Sequence, residues 1–197
     1  MVQTLFPKAI AEFSSLCPQI TIDLAEYGSR KVEQQLHEGT LDVGIVVLPT
    51  RSTMNLETVP FLKEPLMLIV HANHPLAKEL IIDMSDLRDE PFVLYRDDFA
   101  LRDHILDKCK EIGFSPKVVC ETAQWDFIVD IVASKLAIAF LPQSICTKLD
   151  TESVRYVPLK NEIKPWHLAI AWKKDTYLSY ATRAWLEYIF KLFGLSK

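Results

Sequence analysis

No stretch of this 197-residue chain approaches the ~20 consecutive apolar residues of a membrane-spanning helix, so no membrane partner is expected. The opening MVQTLFPKAIAEF lacks the basic n-region and small-residue cleavage site of a signal peptide. The four cysteines, Cys17, Cys109, Cys120 and Cys146, form no C-x-x-C pair. Scattered thiols in apolar surroundings suit a reducing compartment, and a cytoplasmic location is expected. Inert buried thiols are favoured over redox sensing by Cys109 or Cys120. There is little excess charge: 22 Lys+Arg against 26 Asp+Glu, a net charge of −4. The cations are dispersed, whereas a nucleic-acid surface should show a basic patch. The chain has no P-loop, no nucleophile elbow and no paired-glycine dinucleotide fingerprint. Glu26, Asp42 and Asp126 read as structural, since no perturbing partner can be named for them. No enzyme activity and no cofactor are expected.

What is present is a core. Hydrophobic residues make up 49% of the chain and charged residues 24%, enough for one large domain or two small lobes. Leu5, Ala9, Ile10, Phe13 and Leu16 recur at helical spacing over roughly 4–16, and Cys17-Pro18 ends that helix. Ile20-Thr21-Ile22-Asp23-Leu24 alternates as a strand. A second helix is expected over about 30–38, with Ser29 as N-cap and Gly39 as C-cap. LDVGIVVL, 41–48, reads as a buried strand. This αβαβ series argues for a parallel, doubly wound sheet. Two strand-like runs follow, at about 56–62 and 65–71, then a helical turn near 83–87. Farther on come a strand at 92–95, a helix at 101–112 closed by Gly113, and a strand at 118–120. A helix over Trp125–Ala133 and a buried strand over Ala137–Leu141 come next. Trp166–Trp172 is a strand, and Leu178–Phe193 a long amphipathic helix.

The stretch LIVHANHPLA, 68–77, places His71 and His74 three apart, which can be a metal-ligand spacing. Geometry argues against it. Residues three apart on a strand face opposite ways, and Pro75 holds His74 away from helical angles. No Cys or acidic residue sits at zinc-like spacing. The expectation is a strand end and a turn, with no metal.

Several stretches at matching relative positions resemble one family: LFPKAIAEF, CPQITIDLAEYGS, LHEGTLDVGIVVLP, EPLMLIVHANHPLA, LRDEPFVLY and VASKLAIAFLP. In this order and spacing they resemble the effector-binding domain of LysR-type transcriptional regulators, over almost the whole chain. The resemblance implies an α/β fold of two Rossmann-like lobes joined by two crossover strands, like a type-2 periplasmic binding protein. A small effector would sit in the cleft between the lobes. LIVHANHPLA would be the first crossover and WHLAIAWKK the return. Lobe one is then expected at 1–71 plus 165–197, and lobe two at 72–164. The resemblance also implies side-by-side homodimers through this domain, and tetramers at full length. DNA would be bound by a separate N-terminal winged helix-turn-helix that this chain does not contain.

Two departures from the family pattern stand out. The family has a strand before the LFPKAIAEF helix, and the chain begins at or inside the loop after it, so a fragment is expected. The family run V-A-x-G-x-G-I-A is replaced by Val132-Ala133-Ser134-Lys135-Leu136-Ala137-Ile138-Ala139. If the first glycine position needs φ > 0, Lys135 costs on the order of 1 kcal/mol there.

Three stretches are candidates for effector binding. Gly28-Ser29-Arg30-Lys31 puts two cations at a helix start, where acids normally offset the dipole. The free N–H groups and the Ser29 hydroxyl would suit an anion, and the resemblance makes Ser29 a pocket residue. The alternative is an ordinary Ser cap with solvated basic side chains. Tyr95-Arg96-Asp97-Asp98-Phe99 lies beyond a strand's carboxyl end, where open α/β sheets bind ligands. Arg96 could clamp a carboxylate and Phe99 wall the pocket; alternatively Arg96 merely pairs with the neighbouring acids. Gln124 and Trp125 hold the same position one unit later, with core packing favoured for Trp125. Val47 and Leu48 would supply apolar wall. The expected effector is a small carboxylate metabolite. A transporter's solute-binding protein shares the fold. A prephenate-dehydratase-like lyase would need a Thr-Arg-Phe-type run, which Tyr95–Phe99 imitates poorly.

Overall fold

The computed structural model describes residues 2–150, 152–160 and 163–195, and the side chains of residues 2–5, Leu5 included, lie outside what is described. In chain order the helices are α1 (Val2–Leu16), α2 (Ser29–Glu38), α3 (Ala100–Glu111), α4 (Trp125–Ala133), α5 (Gln143–Cys146) and α6 (Tyr180–Phe193). The strands are β1 (Gly44–Val47), β2 (Leu56–Glu64), β3 (Leu66–His71), β4 (Pro91–Tyr95), β5 (Lys117–Thr122), β6 (Ala139–Pro142), β7 (Val154–Val157) and β8 (Trp166–Lys173). The chain divides into two compact units, Met1–Leu62 with His167–Lys197, and Lys63–Trp166. In this division β3 lies in the second unit, and β2 carries the chain from the first to the second.

The first unit has the sheet order β1-β8-β2. Strand β8 is buried on both faces, and its alternation serves two cores. Ala169 and Ala171 pack with Val32, Leu36 and Val46 on the α2 side. Ile170 and Trp172 pack with Ala9, Leu186 and Ile189 on the α1 and α6 side. Small residues on one face let α2 approach closely. Gly44 serves the same end, because a Cβ there would run into Val32 Cγ1. On the other face Phe13 meets Trp185 edge-on, ring centroids 5.1 Å apart.

The second unit holds the order β6-β3-β7 and the pair β4-β5. A parallel bridge between Phe92 and Ile138 connects β4 to the residues entering β6. Strand β3, LMLIVH, is buried along nearly its whole length, as its apolar run predicts. It centres one cluster with Phe92, Leu94, Leu101, Ile105, Ile128 and Phe140.

Three expectations are corrected. Residues 20–24 form no strand, and Leu24 is 74% exposed. Among the described residues no strand pairs with them, Ile20 N–H closing a turn onto Cys17 O at 2.9 Å, and alternation alone does not make a ladder. Ser29 is not the N-cap of α2; that residue is Gly28, in extended conformation, and Ser29 is the first helical residue. The sheets are mixed rather than parallel throughout. The β1/β8, β3/β6 and β3/β7 ladders are antiparallel, and the β4/β5 ladder is parallel. Helix α4 lies over the residues its periodicity predicted.

Candidate functional site

In the first unit the candidate residues meet at the start of α2. Ser29 is 8% exposed and its Oγ accepts the backbone N–H of Val47 at 2.8 Å. That bond satisfies a buried donor at the end of β1. It leaves the Ser29 hydroxyl proton to be donated elsewhere. Val47 is buried and Leu48 half-buried beside it, as apolar wall requires. Gly28 offers no side-chain cap, so the first turn keeps N–H groups unmet by any capping side chain. The two expected cations differ. Arg30 Nη1 lies 3.0 Å from Glu33 Oε1 and also donates to Pro49 O at 3.5 Å. Glu33 is fully buried, and its other oxygen accepts the N–H of Arg51 at 3.0 Å. Arg30 is therefore a structural cation, neutralised in place, and Lys31 carries the remaining positive charge. Spacing alone concealed this, although Arg30 and Glu33 sit at i,i+3, a pairing distance on any helix.

In the second unit the candidates gather at the carboxyl ends of the parallel pair β4 and β5, where such sheets bind ligands. Arg96 N–H donates to Thr122 O at 3.1 Å, which joins the two strand ends. The Arg96 side chain is 56% exposed, with Nε 3.5 Å from Asp98 Oδ1. Pairing with a neighbouring acid, the plainer alternative, is what the side chain does here. Phe99 begins α3 and stacks on Tyr95 at 5.1 Å with 21° between ring planes. Burial pushes the Tyr95 hydroxyl well above its ordinary range. Gln124 begins α4, exposed, and its N–H donates to Thr122 Oγ1 at 3.2 Å. Trp125 packs against the core of this unit. Thr122 thus bonds both Arg96 and Gln124; its place at a strand end was the available signal.

The helix starts share one property. The residues that begin α2, α3 and α4, namely Gly28, Phe99 and Gln124, make no side-chain cap of their own, but in α4 the Asp126 carboxylate accepts the N–H of Phe127 at 2.9 Å. Helix α6 is different: Ser179 Oγ accepts the N–H of Thr182 at 3.1 Å. The starts of α2 and α3 thus keep donors that no N-cap side chain takes, suited to an anion.

His71 and His74 do not form a metal centre. Each Nδ1 accepts a backbone N–H, from Asn73 at 2.9 Å and from Leu76 at 3.3 Å. Among the described residues no group of three or more His, Cys, Asp or Glu is placed to hold a metal ion. The four cysteines are free, with Cys109 and Cys146 buried. No helix among the described residues is long and apolar enough to cross a membrane.

Comparison with known proteins places this geometry. The LysR substrate binding domain family matches residues 1–193, and the chain belongs to that family. It is 45% identical, over 93% of its length, to the HTH-type transcriptional regulator YwbI of Bacillus subtilis, and spans 60% of that relative. It is 27% identical, over 87% of its length, to the regulator AlsR of the same organism, spanning 57% of it. The chain thus covers about three fifths of the length of these relatives. Among solved structures, the Synechocystis PCC6803 CcmR regulatory domain in complex with 2-PG matches with a TM-score of 0.85, 21% identity, and coverage of 97% of this chain and 92% of that one. The QuiR effector-binding domain in complex with shikimate gives 0.81 at 22% identity, covering 96% and 90%. The BenM effector-binding domain with benzoate gives 0.74 at 24%, covering 98% and 89%. These likenesses establish the two-lobe α/β fold of LysR effector-binding domains.

Proposed function

We propose that the chain is the effector-sensing part of a LysR-type transcriptional regulator, and that its effector is a small carboxylate. The observation that carries the chemistry is the pair of helix starts at Gly28 and Phe99, where the N-cap residue makes no side-chain cap. Each offers N–H donors to an anion, and Ser29 keeps a hydroxyl proton to add to them. Two solved relatives hold carboxylates, shikimate in QuiR and benzoate in BenM. In the first unit Gly28, Ser29, Val47 and Leu48 are the residues proposed to meet effector, and in the second unit Arg96, Phe99, Gln124 and Trp125. Effector binding would shift an equilibrium between arrangements of the lobes or of a homodimer, tetrameric at full length. DNA would be gripped by the remaining two fifths of a longer cytoplasmic protein. The chain's net charge of −4 gives it no general attraction for DNA. Tight operator binding by 1–197 itself would overturn this division of labour. Nothing in its relatives favours the transporter reading.

The test is thermal unfolding against a panel of small acids, neutral sugars and amines. A ligand at about 100 times its Kd adds roughly 2.7 kcal/mol to stability. Stabilisation by acids alone supports the proposal. Stabilisation by sugars or amines, with no acid effective, sinks it.

A further inference from the structure

The second unit carries a separate cleft of about 190 Å³, at the opposite end of β4 from Arg96 and Phe99. The five residues of β4 set the two places roughly 16 Å apart. The cleft is lined by His71, Asn73, His74, Glu90 and Lys135, with Ile138 as apolar floor. Its volume is below the ~300–1,000 Å³ of drug-sized clefts and suits a ligand of few atoms.

The hydrogen bonds fix what these groups present. His71 Nδ1 accepts from Asn73 N–H at 2.9 Å, and His74 Nδ1 from Leu76 N–H at 3.3 Å. An acceptor nitrogen carries no proton, so in each neutral ring the hydrogen sits on Nε2. Both rings therefore offer an N–H, and neither offers the Nε2 lone pair a metal would need. His74 spends its N–H on Glu90, Nε2 to Oε2 3.4 Å. The one carboxylate lining the cleft is thus engaged. His71 Nε2–H, the Asn73 amide and the Lys135 ammonium remain as donors, and Lys135 makes no ion pair among the described residues.

The backbone adds a second observation. Lys135 N–H bonds Val132 O at 3.0 Å and Leu136 N–H bonds Ile131 O at 3.2 Å. This is the Schellman closure of α4, with Lys135 at the left-handed position, φ 62°. The same position at the end of α2 and of α6 is glycine, Gly39 and Gly194. A strained lysine on the rim of a donor-lined cleft is the kind of outlier that marks a site.

We infer that this cleft is a second binding site, for a small oxyanion of the phosphate or carboxylate type, held by Lys135, His71 and Asn73. It does not rest on the effector proposal. Inorganic phosphate is titrated into the 197-residue chain at constant ionic strength, followed by calorimetry and by the histidine ring C–H signals in NMR; acetate is the second probe. Expected is saturable binding that moves His71 and His74 while His37, His104 and His167 stay still. Lys135→Gly, which relaxes the backbone and keeps the fold, should weaken binding at least tenfold, and His71→Gln by a similar factor. Phosphate alone saturating makes the ligand a phosphate, acetate alone makes it a carboxylate, and both saturating makes the cleft a general oxyanion site. Shifts that never saturate, movement of all five rings together, or unchanged affinity in both variants would overturn the inference.

Discussion

Ser29 Oγ accepts the N–H of Val47 at 2.8 Å, across 18 residues of sequence. One hydroxyl thereby ties the first turn of α2 to the end of β1, and its own proton is left to be donated elsewhere. The structural tie and the proposed recognition would share one atom, and substitution can separate the two.

Ser29→Ala removes the acceptor of a buried N–H. An unsatisfied buried donor costs about 1–3 kcal/mol, so stability should fall by that amount, read in urea as a lower midpoint with m unchanged. Affinity for any acid found in the panel should fall as well. Loss of stability with affinity intact would make Ser29 a structural tie and nothing more.

Glu33 is the other tie. It is fully buried, accepts Arg51 N–H at 3.0 Å and pairs with Arg30 at 3.0 Å. Removing one partner of a buried pair costs about 3–5 kcal/mol. Glu33→Ala should therefore destabilise by roughly that much in urea unfolding. Glu33→Gln keeps the acceptor oxygen for Arg51 and should cost clearly less. Equal losses would mean that the charge, not the hydrogen bonds, holds the loop.

Much of this was legible in the residues, and the exceptions have physical causes. Helix α4 could be read because Ile128, Ile131 and Val132 bury at helical spacing. Strand β3 could be read because a continuous apolar run bounded by turns has one good home. Residues 20–24 misled, since alternation reports which side chains would face inward but not whether a neighbour exists. Arg30 misled for a related reason. Its charge was visible, while the burial of Glu33 that neutralises it depends on β1 and Arg51. Strand β7, four residues with Arg155 and Tyr156 outside, carried too short a pattern to see.

Lys135→Gly tests the strained C-terminus of α4. A side chain at φ 62° costs roughly 1–2 kcal/mol, partly offset by the greater freedom of unfolded glycine. The net expectation is a gain of about 0.5–1 kcal/mol, or ~1–4 °C in Tm for a chain of this size. The converse, Gly39→Lys at φ 77°, should lower Tm by a similar amount. A fall in Tm for Lys135→Gly would mean that the lysine side chain stabilises the fold in a way the backbone geometry does not express.

The buried thiols predict a pH dependence. Burial pushes Cys109 up to about 11 and Cys146 up to about 12. In the unfolded chain the same thiols ionise near 8.5. Above that pH the unfolded state loses protons that the folded state keeps, so stability falls as pH rises. Each group contributes up to about 1.4 kcal/mol per pH unit until its folded value is reached. Urea midpoints should be flat in this respect below pH 8 and decline from about pH 9. Cys109→Ala and Cys146→Ala should each flatten that decline, and a slope unchanged in both would assign it to Tyr95 and other groups. At pH 8 a thiol reagent should find Cys109 and Cys146 protected in the folded chain and all four cysteines reactive in urea. Rapid labelling of Cys109 or Cys146 in the folded chain would show that their cores open on the labelling timescale.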